Sequence, residues 1–154
     1  MTTSSQLTSE MLFLHERLPR EAWAQLPERS LAATWLAMHE SLRHGQRQLE
    51  RLGLAWQLKQ MDWPMFRERW LAITPAHFGH LHGHHQLEDR HYFPQFRRME
   101  PRLAKGFDVL DGDHRHIHDA LASLETLTRQ LREANEETAE SRRLADQLAV
   151  QAWQ

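Results

Sequence analysis

The stretch HFGHLHGHHQLEDRHYFP, residues 77–94, contains six of the 12 histidines of the chain. A helix turns by about 100° per residue, so His84 and Glu88 lie one turn apart on the same face of a predicted helix. Because burying imidazoles without partners costs free energy, a divalent cation bound by several ring nitrogens would satisfy such a face. The other members of this stripe and the leucines beside it are His77, His80, His91, Leu81 and Leu87.

The composition of the chain predicts a single all-helical domain. The 154 residues are rich in leucine, alanine, glutamate, glutamine and arginine, whereas valine, isoleucine and tyrosine, which favour strands, are rare. The formal net charge is −2, basic and acidic residues are interleaved, and no apolar run approaches the roughly 18 residues of a membrane span. The N-terminus lacks the features of a signal peptide. We therefore expect a cytoplasmic protein that binds neither nucleic acid nor membrane.

Helix signals along the chain predict an antiparallel four-helix bundle, residues 29–154, after an N-terminal extension, residues 1–28, that carries a short helix. We expect Pro75 to kink or restart the second long helix, with Thr74 as its cap, and Pro94 to end that helix at about Tyr92. The predicted spans are 9–18 for the short helix, then 30–53 or a little beyond, 63–92, 102 or 107 to 132, and 136–154.

Two further helices also direct histidines towards leucine-rich faces. His114 and His118 are one turn apart and share a face with Leu110, Ile117 and Leu121, while His39 shares a face with Trp35, Leu36 and Leu42. Three helices therefore each direct at least one imidazole inward, which is the usual way in which bundles build metal sites. The remaining assignments are His44, His82 and His116 as surface residues, His77 and His91 as supporting residues, His80 and His85 as ambiguous, His15 as a surface or lid residue, and Trp35, Trp63, Trp70 and Phe93 as core.

Three motifs together resemble the hemerythrin-like, or HHE cation-binding, family. They are HGHHQLEDRHYFP at residues 82–94, LDGDHRHIHDAL at residues 110–121, and an inward histidine in WLAMHESLR at residues 35–43. The resemblance covers about residues 30–132. It implies a four-helix bundle that holds two non-haem irons through histidines and bridging carboxylates, and that binds dioxygen. The ligands it implies are His39, His84, Glu88 as a bridging carboxylate, His114 and His118.

The last segment, NEETAESRRLADQLAVQAWQ at residues 135–154, differs from the family pattern because it contains no histidine. The family normally brings a further histidine and a carboxylate from its last helix. Either the sequence ends before the ligand-bearing part of that helix, or the site is a reduced one that water completes. His80 or His91 could also substitute for the missing ligand.

Three functions fit this sequence. The first, which we favour, is a binding protein that carries, stores or senses dioxygen or a related small ligand at a non-haem iron or di-iron centre. Its histidine-rich ligands differ from the repeated Glu-x-x-His motifs of oxidative di-iron enzymes. The second is an iron-dependent enzyme that acts on peroxide or nitric oxide. The third is a regulatory bundle that binds zinc or responds to pH through its histidines.

Overall fold

A computed structural model describes residues 19–25, 27 and 30–153, and this part of the chain contains no β-strand. The predicted all-helical class is therefore confirmed for the described residues, whereas the short helix predicted at residues 9–18 lies outside them. The elements are a 3₁₀ turn (Arg20–Gln25), α1 (Leu31–Gln57), α2 (Trp63–Leu87), a π-helical turn (Glu88–Tyr92), α3 (Phe93–Met99), a 3₁₀ turn (Pro101–Leu103), α4 (Ala104–Glu133) and α5 (Ala139–Gln151).

Two helix starts follow from side-chain caps. The hydroxyl of Ser30 accepts a hydrogen bond from the backbone N–H of Ala33 at 3.1 Å, as expected of an N-cap at the start of α1. Thr138 caps α5 through a reciprocal capping box with Ser141, so that helix begins three residues later than predicted. The cap, rather than the first acidic residues of the segment, fixes where α5 begins.

The predicted restart at Pro75 is wrong, because α2 continues through this proline. Thr74 is not a helix cap. Its buried hydroxyl donates a hydrogen bond of 2.9 Å to the carbonyl of Trp70, one turn earlier in the same helix. Proline has no backbone N–H, so the carbonyl four residues before it loses a partner, but the packing around α2 outweighs that loss.

The predicted end at Tyr92 is also wrong, because helical backbone continues to Met99. The turn Glu88–Tyr92 is π-helical, and the backbone N–H of Phe93 donates to the carbonyl of Glu88 five residues earlier. Pro94 then falls in the first turn of α3, a position at which proline is common. Single π turns inside helices often occur at functional sites, and this one begins at a predicted metal ligand.

The chain divides into two compact units. We call Leu42–His82 with His116–Gln154 the apolar unit, because α1, α2, α4 and α5 bury a hydrophobic core there. Gly53 of α1 lies so close to α5 that an added Cβ would be 3.0 Å from the backbone oxygen of Ala149. The largest fully buried apolar side chains of this unit are Trp70, Phe66, Leu49, Leu131 and Leu148.

We call the other unit, Met1–Ser41 with Gly83–Arg115, the site unit, and describe it within the residues given above. Its aromatic rings pack in pairs, including Phe93 with Phe107 at 5.2 Å between ring centroids. The guanidinium of Arg97 on α3 bonds the carboxylates of Asp108 and Asp111 on α4, at 2.6 and 2.5 Å. These contacts fix α3 against α4.

Across the described ranges, none of the helices combines the length and apolarity that crossing a membrane requires.

Candidate metal centre

Three side chains of the site unit bring metal-binding atoms together. They are His39 from α1, His84 from α2 and Glu88 from the first position of the π turn, and their ligand atoms all lie within 4.8 Å of one another. Nε2 of His84 lies 3.2 Å from Nε2 of His39 and 3.2 Å from Oε1 of Glu88. Nε2 of His39 lies 3.6 Å from the same oxygen. His84 and Glu88 are buried, whereas His39 is partly open to solvent.

The second ring nitrogen of His39 determines its tautomer. Nδ1 lies 2.9 Å from the backbone oxygen of Trp35, one turn earlier in α1. A carbonyl oxygen only accepts hydrogen bonds, so Nδ1 must carry the proton. In the neutral imidazole the lone pair is then on Nε2, which faces His84 and the carboxylate of Glu88. A lone pair that faces a carboxylate oxygen requires a proton or a cation between them.

The spacing of these three atoms fits a shared transition-metal ion. Ligand atoms at about 2.0–2.1 Å from one ion lie about 2.9–3.4 Å apart in octahedral or tetrahedral geometry. The two distances from His84, both 3.2 Å, fall within this range, and the 3.6 Å between His39 and Glu88 lies just above it. Imidazole nitrogen with carboxylate oxygen is a donor set suited to iron or zinc. The residues present therefore fit a cation of this class.

The other carboxylate oxygen of Glu88 faces a fourth predicted ligand. Nε2 of His114, on α4, lies 3.3 Å from Oε2 of Glu88. Nδ1 of His114 donates to Oδ1 of Asp89 at 2.8 Å, so the nitrogen that faces Glu88 is again the one left to bind a cation. Metal-binding histidines usually donate their other ring N–H to a carboxylate or a carbonyl, which fixes the orientation of the ring. Glu88 thus directs Oε1 towards His39 and His84 and Oε2 towards His114, as a bridging carboxylate would.

The electrostatics of the site follow from these contacts. Burial opposes the charge on Glu88, but hydrogen bonds from His114 and Trp35 and the nearby rings of His84 and His39 lower the pKa of Glu88 below its ordinary value. Burial also opposes protonation of His114, yet its hydrogen bonds to the two neighbouring carboxylates raise the pKa of His114. The lowered pKa of Glu88 and the raised pKa of His114 both favour a proton on Nε2 of His114, the atom that faces Oε2 of Glu88.

Trp35 and Asp89 are site residues that the sequence reasoning missed, and His85, which it left ambiguous, also lies at the site. Trp35, expected in the core, is half-buried, and its indole N–H donates to Oε1 of Glu88. The buried ring of His85 stacks on His114 with centroids 4.2 Å apart and an interplanar angle of 24°. The spacing of four residues between His85 and Asp89 repeats that of His84 and Glu88, and this signal could have been read from the sequence.

The structure brings four of the five predicted ligands together, namely His39, His84, Glu88 and His114. The fifth, His118, belongs to the apolar unit, where its ring lies 5.9 Å from that of His82. Its role as an iron ligand stays a prediction.

Two residues expected on the buried face of α4, Leu110 and Ile117, are exposed. Of the other histidines, His77 and His85 are buried, His82 is half-buried, and His44, His80, His91 and His116 are exposed.

The family model of the hemerythrin HHE cation-binding domain matches residues 30–152. This match covers most of the chain, and the chain therefore belongs to that family, as its three motifs predicted. No curated protein and no solved structure matched the chain. The family is one of cation-binding domains, in agreement with the cluster of His39, His84 and Glu88.

Proposed function

We propose that this protein binds non-haem iron and uses it to carry, store or sense dioxygen or a related diatomic ligand. The observation that carries the proposal is the orientation of the imidazoles. His39 and His114 each donate through Nδ1 to an oxygen that can only accept, and each directs Nε2 at a different oxygen of Glu88. The iron would supply a coordination position that binds the small ligand reversibly.

The residues of the chain have distinct parts in this proposal. His39, His84 and Oε1 of Glu88 would hold the first ion, and His114 with Oε2 of Glu88 would begin a second position. Asp89 orients His114, because its carboxylate fixes the proton on Nδ1. The first position has three protein ligands within 4.8 Å, so it is the better-formed one. We therefore expect about one tightly held iron ion per chain rather than two.

The same proposal includes the helix arrangement and the cellular location of the protein. We infer that α1, α2, α4 and α5 form an antiparallel bundle and that the protein acts in the cytoplasm without nucleic-acid partners. The zinc-binding regulatory bundle is the alternative, since the same nitrogen and oxygen donors bind zinc. Iron-dependent turnover of peroxide or nitric oxide would use the same residues, and a turnover assay separates it from reversible binding.

Metal analysis of protein made in iron-replete medium, with absorption spectra before and after exposure to air, tests the proposal. We expect bound iron and an oxygen-dependent spectrum in the wild type, and strong loss of both in His84→Ala with helical circular dichroism retained. His116→Gln is the matched control, because His116 is exposed on α4 and should keep wild-type iron. Zinc without an oxygen-dependent spectrum would favour the regulatory bundle. Wild-type iron in His84→Ala would remove His84 from the centre.

A further inference from the structure

The indole of Trp35 contacts two of the three clustered ligands of the metal centre. Its N–H donates a hydrogen bond to Oε1 of Glu88, the oxygen that faces Nε2 of both His39 and His84. The indole ring also lies edge-on to the ring of His39, with centroids 5.4 Å apart and an interplanar angle of 61°. We propose that Trp35 is a positioning residue of this centre, whose indole sets the orientation of Glu88 and of His39 for a bound cation.

The indole is itself held in place by an aromatic cluster of the site unit. Phe96 on α3 packs against Trp35, with ring centroids 5.7 Å apart. Phe96 also stacks on Tyr92 of the π turn and on Phe107 of α4, at 5.9 and 6.1 Å between centroids. These contacts restrict the rotamer of Trp35 and so direct its N–H at Glu88. A ligand whose hydrogen-bond donor is fixed in this way keeps one orientation.

The hydrogen bond from Trp35 leaves room for a cation on the same oxygen. A carboxylate oxygen has two lone pairs, and an indole N–H can only donate. Because one lone pair of Oε1 accepts from Trp35, the other remains for an ion held by His39 and His84. Loss of a hydrogen bond that orients a metal ligand typically costs about 10–100-fold in metal affinity. Trp35 should therefore control the affinity of the centre without contacting the ion.

The contribution of the Trp35 side chain can be separated from that of its backbone. The carbonyl of Trp35, 2.9 Å from Nδ1 of His39, fixes the tautomer of that ring, and any residue at this position provides the same carbonyl. Trp35→Phe keeps the carbonyl and an aromatic ring, and it removes the indole N–H. Trp56→Phe in the apolar unit is the matched control, because the indole N–H of Trp56 also donates to a carboxylate, that of Asp146, at 2.8 Å.

Calorimetric titration of the full chain with Zn²⁺ tests this role, which rests on the proposed function only in requiring a cation at the centre. We expect Trp35→Phe to weaken Zn²⁺ binding about 10–100-fold relative to the wild type, and Trp56→Phe to bind Zn²⁺ like the wild type. Both variants lose one hydrogen bond from an indole to a carboxylate. An equal fall in Zn²⁺ affinity in both would therefore reflect a general loss of packing and would overturn the positioning role.

The indole N–H resonances provide a second measurement, on the wild type itself. The chain has six tryptophans, and NMR distinguishes their indole N–H groups once the resonances are assigned. Binding of Zn²⁺ should shift the resonance of Trp35, because its acceptor Oε1 becomes a ligand, and should leave that of Trp56 in place. A Trp35 resonance that does not respond to bound Zn²⁺ would overturn the proposal, even if Trp35→Phe did not fold.

The outcomes separate this role from the proposed function. Weaker Zn²⁺ binding in Trp35→Phe supports the role of Trp35 even if the iron-loaded wild type shows no oxygen-dependent spectrum. Wild-type Zn²⁺ affinity in Trp35→Phe would overturn the role and leave the proposed function unchanged. A wild-type chain that binds no Zn²⁺ would also overturn the role, whereas the iron content and the oxygen-dependent spectrum test the proposed function independently.

Discussion

The site unit and the apolar unit take residues from the same three helices, α1, α2 and α4, but they differ in the kind of side chain that dominates their buried residues. The apolar unit buries tryptophan, phenylalanine, leucine and alanine. The site unit buries His84, His85, Glu88 and His114 among aromatic rings. Stability in the apolar unit should therefore come from burial of apolar surface, whereas the buried polar groups of the site unit depend on a partner cation or proton.

Two histidines show the difference most directly. His77 in the apolar unit and His114 in the site unit are equally exposed, at 8%. Burial and the nearby His80 lower the pKa of His77. The pKa of His114 is raised, because Glu88 and Asp89 outweigh the same effect of burial. The neighbouring carboxylates, and not the extent of burial, decide whether a buried imidazole can take a positive charge.

Substitution of matched tryptophans should give the largest difference between the units. Trp70 is fully buried and donates to Oγ1 of Thr128 at 2.9 Å, so Trp70→Ala should cost about 3–5 kcal/mol of unfolding free energy. Trp35 is half-buried, and Trp35→Ala should cost clearly less while it alters metal binding through Glu88. Urea unfolding of the metal-free proteins measures both, and equal losses would mean that the site unit is stabilised like an ordinary core.

Metal binding should stabilise the protein through the site unit alone. A ligand that binds only the folded state at 100 times its dissociation constant adds about 2.7 kcal/mol. We expect iron loading under anaerobic conditions to raise the melting temperature of the wild type and of His116→Gln, but not that of Glu88→Gln. The gain should vanish in acid, because protonated imidazole does not coordinate. An unchanged melting curve after chelation at neutral pH would contradict the metal dependence.

Two glycines test packing in the apolar unit. A Cβ at Gly53 would lie 3.0 Å from the oxygen and 3.1 Å from Cα of Ala149, and this backbone cannot move as a side chain can. Gly53→Ala should therefore destabilise by about 1–3 kcal/mol, less the gain in helix propensity. Gly79→Ala, with nothing within 4 Å of the added atom, should stabilise by about 0.5–1 kcal/mol. Denaturant midpoints that shift in the same direction would show that α1 and α5 are not in close contact at Gly53.

The sequence predicted the helices well, because long runs of helix-forming residues and caps such as Ser30 act locally. It failed on the restart at Pro75 and on the helix end before Pro94, because helical backbone continues through both prolines, while the alternative of a kink at Pro75 stays a prediction. The π-helical turn at Glu88 inserts one extra residue, and a regular period of 3.6 residues per turn does not predict such an insertion.

The metal-binding group was predictable where its ligands repeat at a helical spacing, as in His84 and Glu88. The hydrogen bonds of Trp35 and Asp89 join residues 53 and 25 positions apart in the sequence, so local spacing could indicate the face on which Asp89 lies but not the partner of either residue. Periodicity alone also placed Leu110 and Ile117 on a buried face, although both are exposed. A helical face is buried only where another element packs against it, and the periodicity of one helix does not show which element that is.

The smallest predicted effect is a pH dependence that belongs to the apolar unit. His77 is buried so close to α1 that a Cβ on Gly45 would collide with its ring, and its pKa is lowered by burial and by His80. Below about pH 6.5 the unfolded chain takes up a proton at this residue, while the folded chain does so only at lower pH. The unfolding free energy that the neutral ring of His77 contributes above that pH is therefore lost as the pH falls towards the pKa of His77 in the folded chain. In metal-free protein, His77→Gln should flatten the decline of unfolding free energy between about pH 7 and 5, whereas His44→Gln, at an exposed site on α1, should not. Identical pH profiles for the two variants would mean that His77 ionises as freely in the folded chain as in the unfolded one.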